Sequence, residues 1–262
     1  MGNQTEGDKI FVDEFVWPFL IPLMTTVSCT IALEVLAHIL MSLVTIVVVR
    51  KCLRIHLIGT AEHAYYCTLG LFLCVGECLL MTNTWWMRRL FTHRGLLRTH
   101  MGLGMLCLWP GFIGILMKCI NKVKQNAMEE EQYESHCTSK HSLCGLLGYF
   151  LLVGALGTGL SLVWYSEMAL HLTHRLLGLS GFTTLACSLW FSFNTGFARR
   201  EWSARMVICL KAGVMIGGFA ACSSELWTLA GETFHSLPAA FIRAFDLADS
   251  EGRWGPIGKS VH

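Results

Sequence analysis

Six stretches of mainly apolar residues run through this chain, and each is long enough, at about 20 residues, to cross a bilayer as a helix. They cover residues 27–49, 64–83, 101–118, 142–163, 175–195 and 206–228. Of all 262 residues, 53% are hydrophobic and only 15% are charged, and the charges gather mostly between the apolar runs. A soluble domain seldom has this composition. The sequence therefore predicts an all-α, polytopic membrane protein with six transmembrane helices.

Polar segments flank the membrane region on both sides. Residues 1–26 are predicted to be a polar, interfacial N-terminal segment without the features of a cleaved signal peptide. Residues 27–230 form the membrane domain, and residues 231–262, with glycine, proline and mixed charge, are predicted to be a flexible tail. Lysine and arginine are divided almost evenly between the two membrane sides, so the positive-inside rule does not fix the orientation.

Charge and cysteine usage argue against other classes of protein. The net charge of +2 comes without a long basic run, so nucleic acid is not an expected partner. The 12 cysteines are scattered, mostly within the apolar runs, where they behave as small hydrophobic residues. No CxxC pair occurs, so a zinc or disulfide framework is unsupported. A disulfide is conceivable only among Cys52, Cys119 and Cys137, which lie near the ends of alternate spans.

A repeated histidine pattern marks the start of four consecutive apolar runs. From both His63 and His141, glycine follows at plus 7 and again at plus 13. From both His100 and His174, leucine follows at plus 3 and glycine at plus 4. Because an internal repeat reports on architecture more strongly than any single motif, these histidines indicate two related halves.

The order of the spans groups the four histidines into two pairs. Spans 2 and 4 enter the membrane from one side, which puts His63 and His141 at one depth, and spans 3 and 5 put His100 and His174 near the other surface. Two histidines facing each other across a helical bundle suit the axial ligation of a haem that carries electrons and does not bind oxygen. We therefore expect spans 2 to 5 to form a pseudo-symmetric four-helix bundle that holds two haems.

Glycines one or two turns from each histidine have two interpretations. They leave room for a flat macrocycle, or they allow helices to pack closely. These glycines are Gly70, Gly104, Gly148 and Gly178.

The histidine-bearing segments resemble the cytochrome b561 family of ascorbate-dependent transmembrane oxidoreductases over about residues 30–228. The resemblance rests on His63 with Val75-Gly76-Glu77, Arg98-Thr99-His100, Ser139-Lys140-His141-Ser142 and His174-Arg175-Leu176-Leu177-Gly178. The spacings of 37, 41 and 33 residues between successive histidines are also similar to those of the family. In two places the chain departs from the family pattern, because Ala64 replaces a frequent proline and Leu143 a frequent tryptophan.

The resemblance implies two haem b groups with the axial pairs His63/His141 and His100/His174. It implies a cytosolic N terminus, and therefore a cytosolic position for His100 and His174, in a multi-pass protein of an endomembrane, a vesicle or the plasma membrane. Electrons would pass from cytosolic ascorbate to monodehydroascorbate or a ferric chelate on the far side. The family often forms homodimers.

Basic residues near each histidine pair are candidates for substrate binding. Ascorbate is an enediol anion, and an anion is bound best by cations placed beside it. Arg94, Arg98 and Arg175 flank the cytosolic pair, and His136 and Lys140 flank the other pair. The same arginines also suit haem propionates or lipid phosphates.

Two other functions stay open at this point. A proton-coupled transporter or channel would use the intramembrane histidines with Glu34 or Glu77 as a relay, although histidines clustered at two depths favour haem. A structural protein without haem would not need the four histidines. Glu34 and His38 lie four residues apart on one face of span 1, so we expect them to face protein as a hydrogen-bonded pair. Glu77 is expected to face the bundle.

Overall fold

The chain is helical along nearly all of its described length. The computed structural model describes the backbone of residues 17–56, 59–128 and 138–250, and it contains no strand within those ranges. Side chains are described for residues 28–56, 59–84, 86–124 and 138–231. The predicted all-α class is confirmed.

Six long helices and two short ones follow one another along the described chain. They are α1 (Trp17–Arg54), α2 (Thr60–Met81), the short α3 (Trp85–Leu90), α4 (His93–Met128), α5 (Lys140–Ser161), α6 (Met168–Ser192), the short α7 (Gly196–Glu201) and α8 (Ala204–Ser250).

Five stretches of these helices are long and apolar enough to cross a membrane, within the part of the chain that is described. They are Ser28–Arg54, Thr60–Met81, His93–Lys124, Lys140–Ser161 and Ala204–Gly231. The sixth predicted span lies in α6, which is long enough at 25 residues but is not among the five. Its serines, its threonines and Arg175 lower its hydropathy. The chain is a multi-pass membrane protein, as predicted.

The helices extend beyond the apolar runs. Helix α4 begins at His93, so Arg94 and Arg98, which we expected in a loop, lie in its first turns. Helix α1 begins at Trp17, within the segment predicted to be interfacial, and residues 1–16 lie outside the described part. Hydropathy locates the apolar centre of a helix and misses polar turns that continue it, which accounts for these differences.

The predicted C-terminal boundary at residue 230 falls inside α8. This helix continues to Ser250, so the backbone over 231–250 is helical where we expected a flexible tail, and residues 251–262 lie outside the described part. The chain divides after Ser224 into two compact units. Both sites described below lie in the first unit.

Two helix hairpins, α2 with α4 and α5 with α6, pack closely because glycines line their contacts. A Cβ atom at Gly70 would lie 2.8 Å from the main-chain oxygen of Cys107, and one at Gly148 would lie 2.8 Å from Leu185 Cγ. Small residues at such contacts let two backbones approach each other in a membrane. At Gly70 and Gly148 the packing interpretation therefore applies.

The contact between α2 and α4 contains irregular helix on both sides. Residues Thr68–Cys74 of α2 are π-helical, and α4 carries Pro110 in its interior. The side chain of Leu71 packs directly onto Gly111, next to this proline. A π-helical turn holds more residues than an α-helical turn, so it rotates the end of α2 relative to its start. His63 and the segment after Cys74 therefore take angular positions that a regular helix would not give.

Close packing at Gly148 predicts a stability difference between two glycine substitutions in α5. Gly148→Ala should lower the thermal unfolding temperature in detergent, because the new methyl group would overlap Leu185 and lie 3.1 Å from the Gly181 oxygen. Overpacking of this kind destabilises by about 1–3 kcal/mol. Gly157→Ala is the matched control, since a Cβ atom there meets nothing within 4 Å. It should stabilise the helix by up to about 1 kcal/mol. Equal effects of the two substitutions would contradict this account.

Candidate functional site

The four histidines singled out by the sequence form two facing pairs. The ring centres of His63 and His141 are 5.9 Å apart, with an angle of 77° between the ring planes. The ring centres of His100 and His174 are 6.0 Å apart, at 81°. Each pair takes one histidine from the α2–α4 hairpin and one from the α5–α6 hairpin. The structure thus brings together the residues that the span order had paired.

Reciprocal hydrogen bonds fix the two histidines of the α2–α4 hairpin. His63 on α2 donates from Nδ1 to the main-chain oxygen of Gly114 on α4, at 2.9 Å. In the opposite direction, His100 on α4 donates from Nδ1 to the main-chain oxygen of Cys78 on α2, at 3.0 Å. A carbonyl oxygen can only accept, so the proton of each neutral ring lies on Nδ1. Nε2 is then the nitrogen that can bind a metal.

The α5–α6 hairpin repeats this arrangement. His141 on α5 donates from Nδ1 to the main-chain oxygen of Ser188 on α6, at 2.9 Å. His174 on α6 donates from Nδ1 to the main-chain oxygen of Ala155 on α5, at 2.8 Å. Gly159 leaves room for the second ring, because a Cβ atom there would lie 2.8 Å from Cε1 of His174. All four histidines therefore have the same tautomer, with the proton on Nδ1.

A capping box sets the start of α5 and therefore the height of His141. The Oγ of Ser139 accepts from the main-chain N–H of Ser142 at 3.1 Å. The Oγ of Ser142 accepts in return from the N–H of Ser139 at 3.2 Å. This box satisfies N–H groups that the first turn of a helix leaves without partners. It places His141 in the first turn, at the membrane boundary.

A cavity of about 660 Å³ opens around the pair His63 and His141. This volume lies within the range of protein pockets that hold cofactors, about 300–1,000 Å³. Leu71, Phe72 and Leu185 line its inner part. The apolar end thus lies toward the bundle centre, and a polar mouth leads outward.

Open space also lies next to the other histidine pair. A Cβ atom at Gly178 would meet nothing within 4 Å, and one at Gly104 would meet only the sulfur of Cys78 at 3.8 Å. Both glycines lie one turn from a histidine of this pair, on the same helix face. At these two glycines the space favours a flat bound group over helix packing.

The predicted substrate-binding residues have different positions relative to the two pairs. Arg94 and Arg98 are exposed on the first turns of α4, and Arg175 is partly buried next to His174. Lys140 is exposed and does not line the cavity near His141. His136 lies outside the described residues.

Three basic residues that the sequence did not single out line the mouth of the cavity: Lys118, Lys122 and Arg200. Lys118 donates from Nζ to the Oγ1 of Thr60, at 3.0 Å. Helix α4 continues past both lysines, so their spacing of four residues puts them on one helix face. This four-residue spacing was the sequence signal that could have identified the two lysines as neighbours.

The intramembrane carboxylates pair across helices. His38 on α1 forms an ion pair of 2.7 Å with Glu77 on α2. Glu34 accepts instead from the Oγ of Ser224, at 3.2 Å, and is only 3% exposed. His38 therefore pairs with Glu77, whereas we expected it to pair with Glu34. Helices α1 and α2 approach closely enough for Glu77 to reach His38, which local spacing could not indicate.

Two phenylalanines close the centre of the bundle between the two levels of histidine. The rings of Phe72 on α2 and Phe182 on α6 stack with centres 6.1 Å apart and planes at 15°. Phe72 is 2% exposed and Phe182 is fully buried. The middle of the bundle is therefore packed and apolar.

The disulfide that the sequence left conceivable is not formed among the described cysteines. Cys52 and Cys119 are free thiols, and Cys137 lies outside the described residues.

The two facing pairs fit a haem better than a bare metal ion. Among the residues whose side chains are described, no group of three or more His, Cys, Asp or Glu is placed to hold a metal. A haem iron brings its own ring nitrogens and needs only two axial ligands. Bonds of about 2 Å from a metal to each imidazole put two opposed ring centres about 6 Å apart, as in both pairs. Fold and sites together define a multi-pass helical membrane protein with two facing histidine pairs, of a geometry that suits haem.

Comparison with known families gives the same class. The family model described as eukaryotic cytochrome b561 matches residues 62–201, more than half of the chain and all four histidines. The chain belongs to the cytochrome b561 family. No curated protein and no solved structure matches it. Membership makes the chain a transmembrane oxidoreductase of a family whose cofactor is haem b.

The capping box predicts a stability effect at the start of α5. Ser139→Ala should lower the free energy of unfolding by about 0.5–2 kcal/mol, because an N-cap hydrogen bond is lost. Ser139→Asp should retain it, since aspartate caps equally well. Thermal unfolding in detergent measures both variants. An alanine variant as stable as the aspartate variant would show that the box is not formed.

Proposed function

We propose that this protein carries electrons across a membrane from cytosolic ascorbate to monodehydroascorbate or a ferric chelate on the far side, through two haem b groups. The observation that carries the proposal is the two facing histidine pairs, in which the Nδ1 of every ring is hydrogen-bonded to a main-chain oxygen. Membership of the cytochrome b561 family supplies the broader activity.

In this proposal, His63 and His141 hold one haem, and His100 and His174 hold the other. A haem with two histidine ligands supplies a reversible one-electron change and has no position left for oxygen. The protein contributes the positions of the four rings, and their main-chain hydrogen bonds keep each ring turned for binding. Open space at Gly104 and the 660 Å³ cavity are where the flat groups would lie.

The packed centre of the bundle favours electron transfer over the alternative of a proton-coupled transporter or channel. A proton path needs polar groups or water at intervals through the membrane. Phe72 and Phe182 stack at the centre and are almost fully buried, so apolar rings fill this part of the bundle. An electron can tunnel through apolar side chains, whereas a proton needs polar groups or water.

Basic residues near His100 and His174 are proposed to bind the donor. We propose a cytosolic N terminus, which puts this pair on the cytosolic side. Arg94, Arg98 and Arg175 then give that side positive charge for the ascorbate anion. When the monoanion loses one electron it also releases one proton, which the nearby cytosol can take up.

The far side is proposed to bind an anionic acceptor. Lys118, Lys122 and Arg200 line the mouth of the cavity that reaches His63 and His141, and Lys140 and His136 are further candidates. Monodehydroascorbate and most ferric chelates are anions, so these cations raise their concentration at the mouth. An endomembrane, a vesicle or the plasma membrane would each offer these partners, and a homodimer is part of the proposal.

Replacing single histidines tests the ligand assignment. His141→Ala and His174→Ala should each reduce the haem content of the purified protein from about two to about one per chain, because one axial ligand is lost. Haem is counted by pyridine haemochrome absorption against protein mass. His171→Ala, an exposed residue on the same helix as His174, should leave the content unchanged. Wild-type protein that binds no haem under these conditions would refute the proposed function.

Replacing one cation at the cavity mouth tests the acceptor side. Arg200→Gln should lower the rate of ferric chelate reduction by about two- to tenfold at low salt, because it removes attraction for the anion. The loss should shrink at high salt, where surface charges are screened. Arg199→Gln is the matched control, since its neighbour Arg200 lines the cavity and Arg199 does not. Equal rates for the two variants would remove Arg200 from the acceptor site.

A further inference from the structure

We propose that Cys78 and Ser188 are positioning residues that clamp one histidine of each pair, and that sulfur at one site and oxygen at the other makes the two haem potentials unequal. This inference rests on the proposed function, because it concerns the haems that the histidine pairs would hold. Neither residue belongs to the predicted ligand set. Each lies near the end of one helix of its hairpin, beside a histidine near the start of the other helix.

Ser188 on α6 makes three polar contacts with His141 on α5. Its main-chain oxygen accepts from Nδ1 at 2.9 Å, and its Oγ lies 3.0 Å from the same Nδ1. The hydroxyl donates its own proton to the main-chain oxygen of His141, at 2.8 Å. The lone pairs of Oγ therefore remain for Nδ1–H, which is shared between two oxygens of one residue. Ser188 is only 4% exposed, so water does not compete.

Cys78 on α2 repeats the three contacts with His100 on α4. Its main-chain oxygen accepts from Nδ1 at 3.0 Å, and its Sγ lies 3.3 Å from the same Nδ1. The thiol in turn points to the main-chain oxygen of His100, at 3.5 Å. Cys78 is 7% exposed. The geometry is the same as at Ser188, but the atom next to the ring is sulfur.

The other member of each pair lacks this clamp. His174 donates to Ala155, whose side chain has no polar atom. His63 donates to Gly114 on α4, and the sulfur of Cys67, one turn along its own helix, lies at 3.5 Å. Each facing pair therefore has one histidine that is clamped by a side chain of the neighbouring helix, through oxygen at one site and sulfur at the other.

This difference has a predictable electronic effect. A hydrogen bond accepted from Nδ1–H makes the ring a stronger electron donor through Nε2, which favours the oxidised iron and lowers its potential. Oxygen is a stronger acceptor than sulfur, and it is also closer here. Burial in a low-dielectric interior strengthens the effect. Ser188 therefore lowers the potential of its site more than Cys78 lowers that of the other.

Exchange of the two atoms tests the inference. Ser188→Cys and Ser188→Ala should raise the potential of the His63/His141 haem, and Cys78→Ser should lower that of the His100/His174 haem. We expect a two- to tenfold change in the redox equilibrium constant, about 20–60 mV for one electron. Spectroelectrochemical titration of the purified protein measures both potentials. The single-haem variants of His141 and His174 identify which titration wave belongs to which site.

The controls separate tuning from a merely structural role. Ser188→Thr keeps the oxygen and should keep the wild-type potential, even where Ser188→Ala binds less haem. Cys107→Ser changes another buried thiol on α4, which donates to Gly104 of its own helix, and should move neither potential. Unchanged potentials in the exchanged variants with two haems bound, or equal shifts at both haems, would overturn the inference. A wild-type chain without haem would instead overturn the proposed function.

Discussion

The structure of both sites depends on hydrogen bonds between imidazole N–H groups and main-chain oxygens of the neighbouring helix. In a membrane interior a polar group without a partner is strongly unfavourable, so a buried histidine has to find an acceptor within the protein. Each hairpin meets this need twice, once in each direction, through His63 and His100 or through His141 and His174. The same bonds that satisfy the rings also turn them toward each other.

Close helix packing makes these hydrogen bonds possible. A carbonyl oxygen that is already bonded along its own helix can accept a second bond only where the neighbouring ring comes close to the backbone. Gly70 and Gly148 bring the helices of each hairpin together, and Gly159 leaves room for the ring of His174. The glycines therefore act on the sites mainly by controlling the distance between helices.

The two histidine pairs differ in the residues that surround them. The cavity at His63 and His141 opens to a mouth with Lys118, Lys122 and Arg200, whereas arginines on α4 and α6 lie near the other pair. The clamp beside one histidine of each pair uses oxygen in one half and sulfur in the other. The two sites of this pseudo-symmetric frame are therefore unequal in nearby charge and in hydrogen bonding.

The sequence by itself determined the helical membrane class, the family and the pairing of histidines, because hydropathy, internal repeats and span order are local or topological properties. It did not determine which partner His38 takes, that Lys118 and Lys122 reach the cavity, or that Cys78 and Ser188 clamp the rings. These contacts join residues that are distant in the chain, and they depend on how far each helix extends and on how it is rotated. The π-helical segment Thr68–Cys74 changes that rotation, and only tertiary packing decided it.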